Sequence, residues 1–134
     1  MLFVFLGEYV VPLQKDVIER NESYRYICNM KGKREHILNE IKKTLHAVAP
    51  DAKAVLFGSR ARNEARDDSD WDILILIEKD KIRNEDFDAV AYPLVELGWT
   101  LGEMINPVLY TFNEWRKRSF TIFHKNIEEE GIVI

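Results

Sequence analysis

The sequence predicts an α/β (α+β) domain: a mixed β-sheet with helices packed mainly on one face. Three observations carry this. Two apolar runs, residues 54–57 and 70–77, have the length of buried strands and are bounded by turn residues. Apolar residues recur at helical spacing over 33–48 and again over 84–97. The resulting order (helix, strand, strand, helix, strand, helix, helix) interleaves the two element types, as a layered α/β domain does.

Each element has its own signals. Residues 2–6 and 9–13 are strand-like runs separated by Gly7-Glu8, and 16–26 is weakly patterned. Met30-Lys31-Gly32-Lys33 reads as a fresh chain start. The expected organisation is therefore an N-terminal extension, 1–29, ahead of a main domain, 30–134. The extension is either an appendage, including one from an upstream start codon, or an extra hairpin on the domain edge. Ile37, Leu38, Ile41, Leu45 and Val48 form one face of the first helix, which Ala49-Pro50-Asp51 ends. Gly58-Ser59 breaks the first core strand; 60–65 is a short helix or turn and 66–69 a polar loop. In the helix over 84–97, Pro93 predicts a kink or late start, and Gly98 is the expected C-cap. The strand over 105–110 contains Pro107, which argues for a sheet edge or a bulge. Thr111 or Asn113 is the expected N-cap of the next helix, and Glu114 stands three residues after Thr111, as in a capping box. A last helix covers 121–130, Gly131 stops it, and 132–134 reads as a short terminal strand.

Composition narrows the function. At 134 residues with 46% hydrophobic content the chain has enough material for a core. A net charge of −4 gives no strong nucleic-acid signal. No stretch has the 18 or so apolar residues of a membrane span, and the apolar start has no basic leading region. Cys28, the single cysteine, excludes an intramolecular disulfide and a multi-cysteine zinc site. A cytoplasmic protein is the expectation. His36, His46 and His124 are scattered and read as surface or packing residues.

Chemistry concentrates between the two central strands. Residues 58–72 hold a Gly-Ser turn, three arginines and four aspartates. Asp70 and Asp72 stand two apart, so strand alternation sends both carboxylates to one side. Like charges that close call for a cation, and oxygen ligands favour Mg²⁺ or Mn²⁺. Gly58 lets a phosphate approach the backbone, amides at a helix-like turn bind anions, and Ser59 adds a hydroxyl. Arg60 and Arg62 offer charge-assisted phosphate contacts. Gly-Ser alone is usually a turn, and Asp-x-Asp is common on surfaces; the combination, in this order between two apolar strands, is specific.

With those residues in view, the chain resembles the nucleotidyltransferase superfamily of the DNA polymerase β type, within it the small MNT-like (minimal nucleotidyltransferase) domain proteins. The matching residues are Leu56-Phe57-Gly58-Ser59-Arg60-Ala61-Arg62, ten residues from Arg60 to Ser69, and Asp70-Trp71-Asp72-Ile73-Leu74. The resemblance runs from about Lys33 to the C-terminus. It implies that Gly58 and Ser59 hold the β- and γ-phosphates of a nucleoside triphosphate, ATP being the expected one, and that Asp70 and Asp72 bind two Mg²⁺ ions. The implied reaction is transfer of a nucleoside monophosphate to a hydroxyl acceptor with release of pyrophosphate. Similar small domains work beside a helical HEPN partner as the antitoxin of a toxin–antitoxin pair, some by attaching AMP to it. In the family's pattern a third acid stands on the next strand; here Asn106 occupies that place, and Glu103 is the nearest acid that would reach in from the loop. An amide oxygen ligates a metal but an amide is no general base. Two further readings follow: a nucleotide- or partner-binding module without robust turnover, and transfer to a small molecule such as an aminoglycoside.

Plainer readings apply to the other conspicuous residues. Asp67 and Asp68 read as loop solvation, Arg66 as a surface partner of nearby aspartates, and Arg116-Lys117-Arg118 as a solvated helix end. Trp71 is expected to face away from the aspartates into the core, and Trp99 and Trp115 to pack.

Overall fold

The computed structural model describes the backbone of residues 3–6, 9–12 and 22–134, with side chains from Asn29 onward. Gly7-Glu8 and most of 16–26, on which expectations were placed, lie outside the described residues. The chain divides into two compact units, 1–37 and 38–134.

In the first unit, β1 (Phe3–Leu6) and β2 (Tyr9–Pro12) pair antiparallel, Phe3 opposite Pro12 and Leu6 opposite Tyr9. The two apolar runs therefore form strands as their pattern predicts. Helix α1 (Glu22–Val48) starts well before Lys33 and passes through Met30–Lys33 without a break. Its N-terminal half lacks an apolar stripe, which is why periodicity found only the later part. Ile37, Ile41 and Leu45, one helical face at i, i+4 and i+8, are buried.

The second unit holds a four-stranded mixed sheet in the order β5 (Ile105–Thr111), β4 (Trp71–Ile77), β3 (Lys53–Phe57), β6 (Ile132–Val133). Strands β3 (Lys53–Phe57) and β4 (Trp71–Ile77) are antiparallel, with Phe57 opposite Asp72. Strand β5 (Ile105–Thr111) runs parallel to β4, with Asn106 opposite Asp72. A parallel pair needs a crossover, supplied by α2 (Asn84–Asp86), a π-helical turn (Phe87–Ala91) and α3 (Tyr92–Leu101). Pro93 explains the wide turn. It has no N–H for the Ala89 carbonyl four residues back, and its ring crowds that carbonyl. The backbone widens just before it, and the Tyr92 amide bonds to the Phe87 carbonyl. Strand β5 is a sheet edge, where Pro107 costs no ladder bond.

Gly98 is not the helix cap. It lies inside α3, buried, and a Cβ there would stand 2.7 Å from the Glu103 carbonyl oxygen and 3.2 Å from the Ile105 amide. Glycine lets the start of β5 come back against the helix. The cap is Gly102, at φ 68°, with the Glu103 amide returning to the Gly98 carbonyl at 2.8 Å. Thr111 closes the expected capping box: its hydroxyl accepts from the Glu114 amide and Glu114 accepts from the Thr111 amide, both at 3.0 Å. Helix α4 (Phe112–Lys117) follows, then α5 (Ile122–Glu130), capped by Thr121, and β6 (Ile132–Val133), antiparallel to β3.

Alternation along β4 separates two packed faces. Leu74 and Leu76, with Val55, bury against Trp115 of α4 and Ile127 of α5. Ile73 and Ile75, with Ala54 and Leu56, are buried on the opposite side, where Gly98 of α3 meets Ile105. Each such aliphatic side chain contributes about 1.5–3 kcal/mol on burial. The short α4 and α5 share their sheet face with Asp72, and the longer crossover lies on the other.

One buried carboxylate tunes this frame. Asp86 accepts from the Arg83 amide at 2.8 Å and bonds to Lys79 Nζ. Lys79 first, then the Arg83 amide, hold its carboxyl below the ordinary aspartate range. A carboxylate depressed in the folded state contributes stability above its unfolded pKa and loses it as pH falls through the folded value. Asp86→Asn is therefore expected to unfold at lower denaturant than the parent at neutral pH. The gap should close below about pH 4. Denaturant midpoints measured across pH check this; a gap independent of pH contradicts it.

Candidate active site

The backbone leaves β3 through Gly58, at φ 73°. A Cβ at this position would run into the carboxylate of Asp72. Glycine is thus required twice, by the left-handed conformation and by the neighbouring side chain. The Gly58 carbonyl accepts the Ala61 and Arg62 amides at 3.1 and 3.2 Å, and the Ser59 carbonyl accepts the Glu64 amide at 3.0 Å. This is a helix-like turn whose leading amides point outward. Asn63, at φ 57°, ends it; asparagine tolerates that region.

Asp70 immediately precedes β4 and is exposed; Asp72 is the second residue of the strand and half-buried. Gly58, Asp72 and Asn106 stand side by side across β3, β4 and β5. Asn106 Nδ2 donates to Asp72 Oδ1 at 3.0 Å. The position identified as the third acid's is therefore beside Asp72, filled by an amide. Among the described residues no three His, Cys, Asp or Glu side chains converge. Two hard carboxylates and an amide oxygen suit Mg²⁺, which keeps open positions for water and substrate phosphates rather than needing a full protein cage.

The two arginines expected on phosphate are placed differently. Arg60, expected on phosphate, is buried at 8% exposure and committed within the loop. Its Nε and Nη2 donate to the Ser69 carbonyl at 3.2 and 2.8 Å, and Nη2 also reaches the Asp67 carbonyl at 3.3 Å. The guanidinium lies over the Trp71 ring at 4.3 Å and 3.7 Å from Glu103 Oε2. Planar, weakly hydrated guanidinium suits such a stack. Arg62 sits at the surface, donating to Glu64 at 3.0 Å and Glu130 at 3.2 Å. Both partners raise its pKa, Glu64 first. Those exposed pairs are weak enough to exchange for a phosphate.

Glu103 does not reach the aspartates. Its side chain is 4% exposed and accepts from Trp71 Nε1 at 3.1 Å, on the face opposite Asp72. Trp71 is core, as predicted. Trp115 packs too, stacked on His124 at 4.6 Å. Trp99 does not: it is 63% exposed, with only the edge-to-face ring of Tyr92 against it among described aromatic neighbours. Its helical spacing gave no warning, because it lies outside the α3 stripe of Leu94 and Gly98.

A mixed sheet that brings a Gly-Ser turn and an Asp-x-Asp pair at the start of β4 to one end has the arrangement of nucleotidyl-transfer domains, and the comparisons agree. The nucleotidyltransferase domain family model matches residues 36–131. The chain belongs to this family. A protein of Methanocaldococcus jannaschii named as a protein adenylyltransferase is 35% identical over 82 residues, covering 61% of this chain and 76% of that protein. The fold matches a crystal structure of a toxin–antitoxin with AMP-PNP at a TM-score of 0.53 and 24% identity, covering 71% of this chain and 69% of the other. No helix among the described residues is long and apolar enough to cross a membrane.

Proposed function

We propose that this protein is a Mg²⁺-dependent adenylyltransferase that transfers AMP from ATP to a hydroxyl of a polypeptide, with a HEPN-type helical toxin as the acceptor partner. The observation that carries the reading is Gly58 held against Asp72, which brings the Gly-Ser turn directly beside that carboxylate. The name of the archaeal relative supports a protein acceptor, and the toxin–antitoxin neighbour supports the partner class.

In this reading the turn at Gly58 and Ser59 receives the triphosphate tail, and Arg62 adds charge from the rim. Asp70 and Asp72 hold magnesium, one ion or two, Mn²⁺ being able to substitute; the metal supplies charge neutralisation at the phosphates. The acceptor oxygen bonds to the α-phosphorus as the bond to the bridging oxygen breaks, and pyrophosphate leaves. The hydroxyl proton must also leave. Asn106 cannot take it, so the task falls to Asp70 or to a group the acceptor brings. The test is incubation of the chain with α-labelled ATP, Mg²⁺ and a HEPN-type helical protein. Label retained on the denatured partner supports the reading; ATP binding with no label transferred to any protein defeats it.

Asn106 favours a second reading, a nucleotide- or partner-binding module with little turnover. The two readings separate on Asn106→Asp. As a module lacking its third acid, the protein should gain transfer by roughly 10²-fold, the scale of a general base. If the amide is part of a working site, the substitution leaves the rate unchanged or lowers it by adding like charge against Asp72.

A further inference from the structure

Helix α5 meets the chain on both sides of the Gly-Ser turn. At its start, Phe123 packs edge-to-face on Phe57, the residue before Gly58, with ring centroids 5.6 Å apart. At its end, Glu130 accepts from Arg62 at 3.2 Å. Positions 123, 127 and 130 share one helical face, so a single flank of α5 makes both contacts, with Ile127 buried between them. Phe57 stands opposite Asp72 across β3 and β4, and opposed residues project from the same side of a sheet. The ring of Phe123 therefore stands over the carboxylate side, on the order of 10 Å from Asp72.

Phe123 is 41% exposed even so. Its ring is held from two directions, by Phe57 and by Trp115, the latter also edge-to-face at 5.9 Å. The other exposed rings on the described residues are placed elsewhere. Tyr92 and Trp99 pair with each other on the crossover, and Phe87 and Phe120 border a hollow at the far end of β5.

We infer that Phe123 is the platform on which the base of the bound nucleoside triphosphate stacks, so that the site selects its nucleotide by ring size. The inference rests on the transfer reading and places the end of the substrate that reading leaves open: phosphates at the turn and the aspartates, base on α5. The gap from Asp72 to the ring is of the length a ribose bridges between its phosphate and its base. A planar base gains by covering an aromatic face whatever its edge carries, and a purine covers more of it than a pyrimidine. Because Phe57 and Trp115 already fix the ring, stacking costs little further ordering of the side chain.

Calorimetric titration with Mg²⁺ and ATP, UTP or tripolyphosphate tests this without turnover. Phe123→Leu, which keeps an apolar side chain but no ring, is expected to bind ATP roughly tenfold more weakly than the parent and tripolyphosphate within about twofold of it. Phe123→Trp should bind ATP at least as tightly as the parent. The parent should favour ATP over UTP by about fivefold, a gap that closes in Phe123→Leu. Equal losses of ATP and tripolyphosphate would make the ring a support of the turn and overturn the inference. So would ATP binding untouched by Phe123→Leu, which would leave the ring to another occupant such as the acceptor polypeptide. Where Phe123→Leu fails to fold, equal affinity of the parent for ATP and UTP, or a folded Phe123→Trp that binds ATP tenfold more weakly, overturns it alone. Transfer of α-label to the helical partner is scored on the same proteins. Transfer with base-independent binding defeats the platform and spares the transfer reading; base-dependent binding with no label on any protein does the reverse.

Discussion

Replacing Asp70 and Asp72 together by asparagine is expected to lower AMP transfer by roughly 10³-fold or more, with the melting temperature moved by only a few degrees. The separation of activity from stability follows from where the two side chains sit. Asp70 is exposed, just ahead of β4, and Asp72 is half-buried at its start. Asparagine has nearly the shape of aspartate, and its side-chain oxygen still accepts the Asn106 amide that now lies 3.0 Å from Asp72 Oδ1. Gly58 meets an oxygen or nitrogen of the same size. What is lost is two negative charges at the position where a divalent ion and a triphosphate must be reconciled. Hard cations depend on carboxylate charge far more than on amide dipoles. Transfer, Mn²⁺ binding and ATP affinity in the presence of Mg²⁺ should all fall together. A double variant that transfers within tenfold of the parent would remove these residues from the chemistry.

What was legible in the sequence was what is local. Strand, Gly-Ser turn, loop and Asp-x-Asp lie within about one β-hairpin of chain, so their spacing alone places Gly58 beside Asp72. The register then sets Asn106 opposite Asp72, as the strand pattern from Ile105 suggested. The capping box at Thr111 was legible for the same reason. The misread residues depend on distant chain. Trp71 and Glu103 bond across 32 positions, and nothing near Glu103 marks it as buried. Arg60 follows a phosphate-type turn, yet its length lets it fold back beneath the loop. Gly98 sits where a helix cap would fit, but its role is set by the returning β5 backbone. The start of α1 was hidden because a helix without an apolar stripe has no period to detect.

The largest stability loss should come from the side of the sheet that touches no substrate. Arg60, Trp71 and Glu103 form one buried unit: guanidinium on indole at 4.3 Å, indole N–H to carboxylate at 3.1 Å, carboxylate to guanidinium at 3.7 Å. Both charged side chains are more than nine-tenths buried. Removing one partner leaves the other charge in a low-dielectric site, at a cost of about 3–5 kcal/mol. Glu103→Ala should therefore lower the melting temperature by roughly 10–20 °C. Arg60→Ala should match it, since it also leaves the Ser69 and Asp67 carbonyls without their donor. Arg60→Lys should recover only part, because an ammonium keeps the charge but neither stacks nor bridges two carbonyls in a plane. The same unit explains why Asp72 is held in place. Trp71 precedes Asp72 on the strand, and alternation ties the direction of one to that of the other. Clamping the indole on one face by Arg60 and Glu103 sets the Asp72 carboxylate on the other. Arg60→Ala is accordingly expected to weaken ATP–Mg²⁺ binding even at temperatures where the variant is fully folded, as read by calorimetry well below its transition. A variant with unaltered melting temperature would show that the buried charges are dispensable. A destabilised variant with unaltered ATP–Mg²⁺ affinity would show that the clamp holds the loop without setting Asp72.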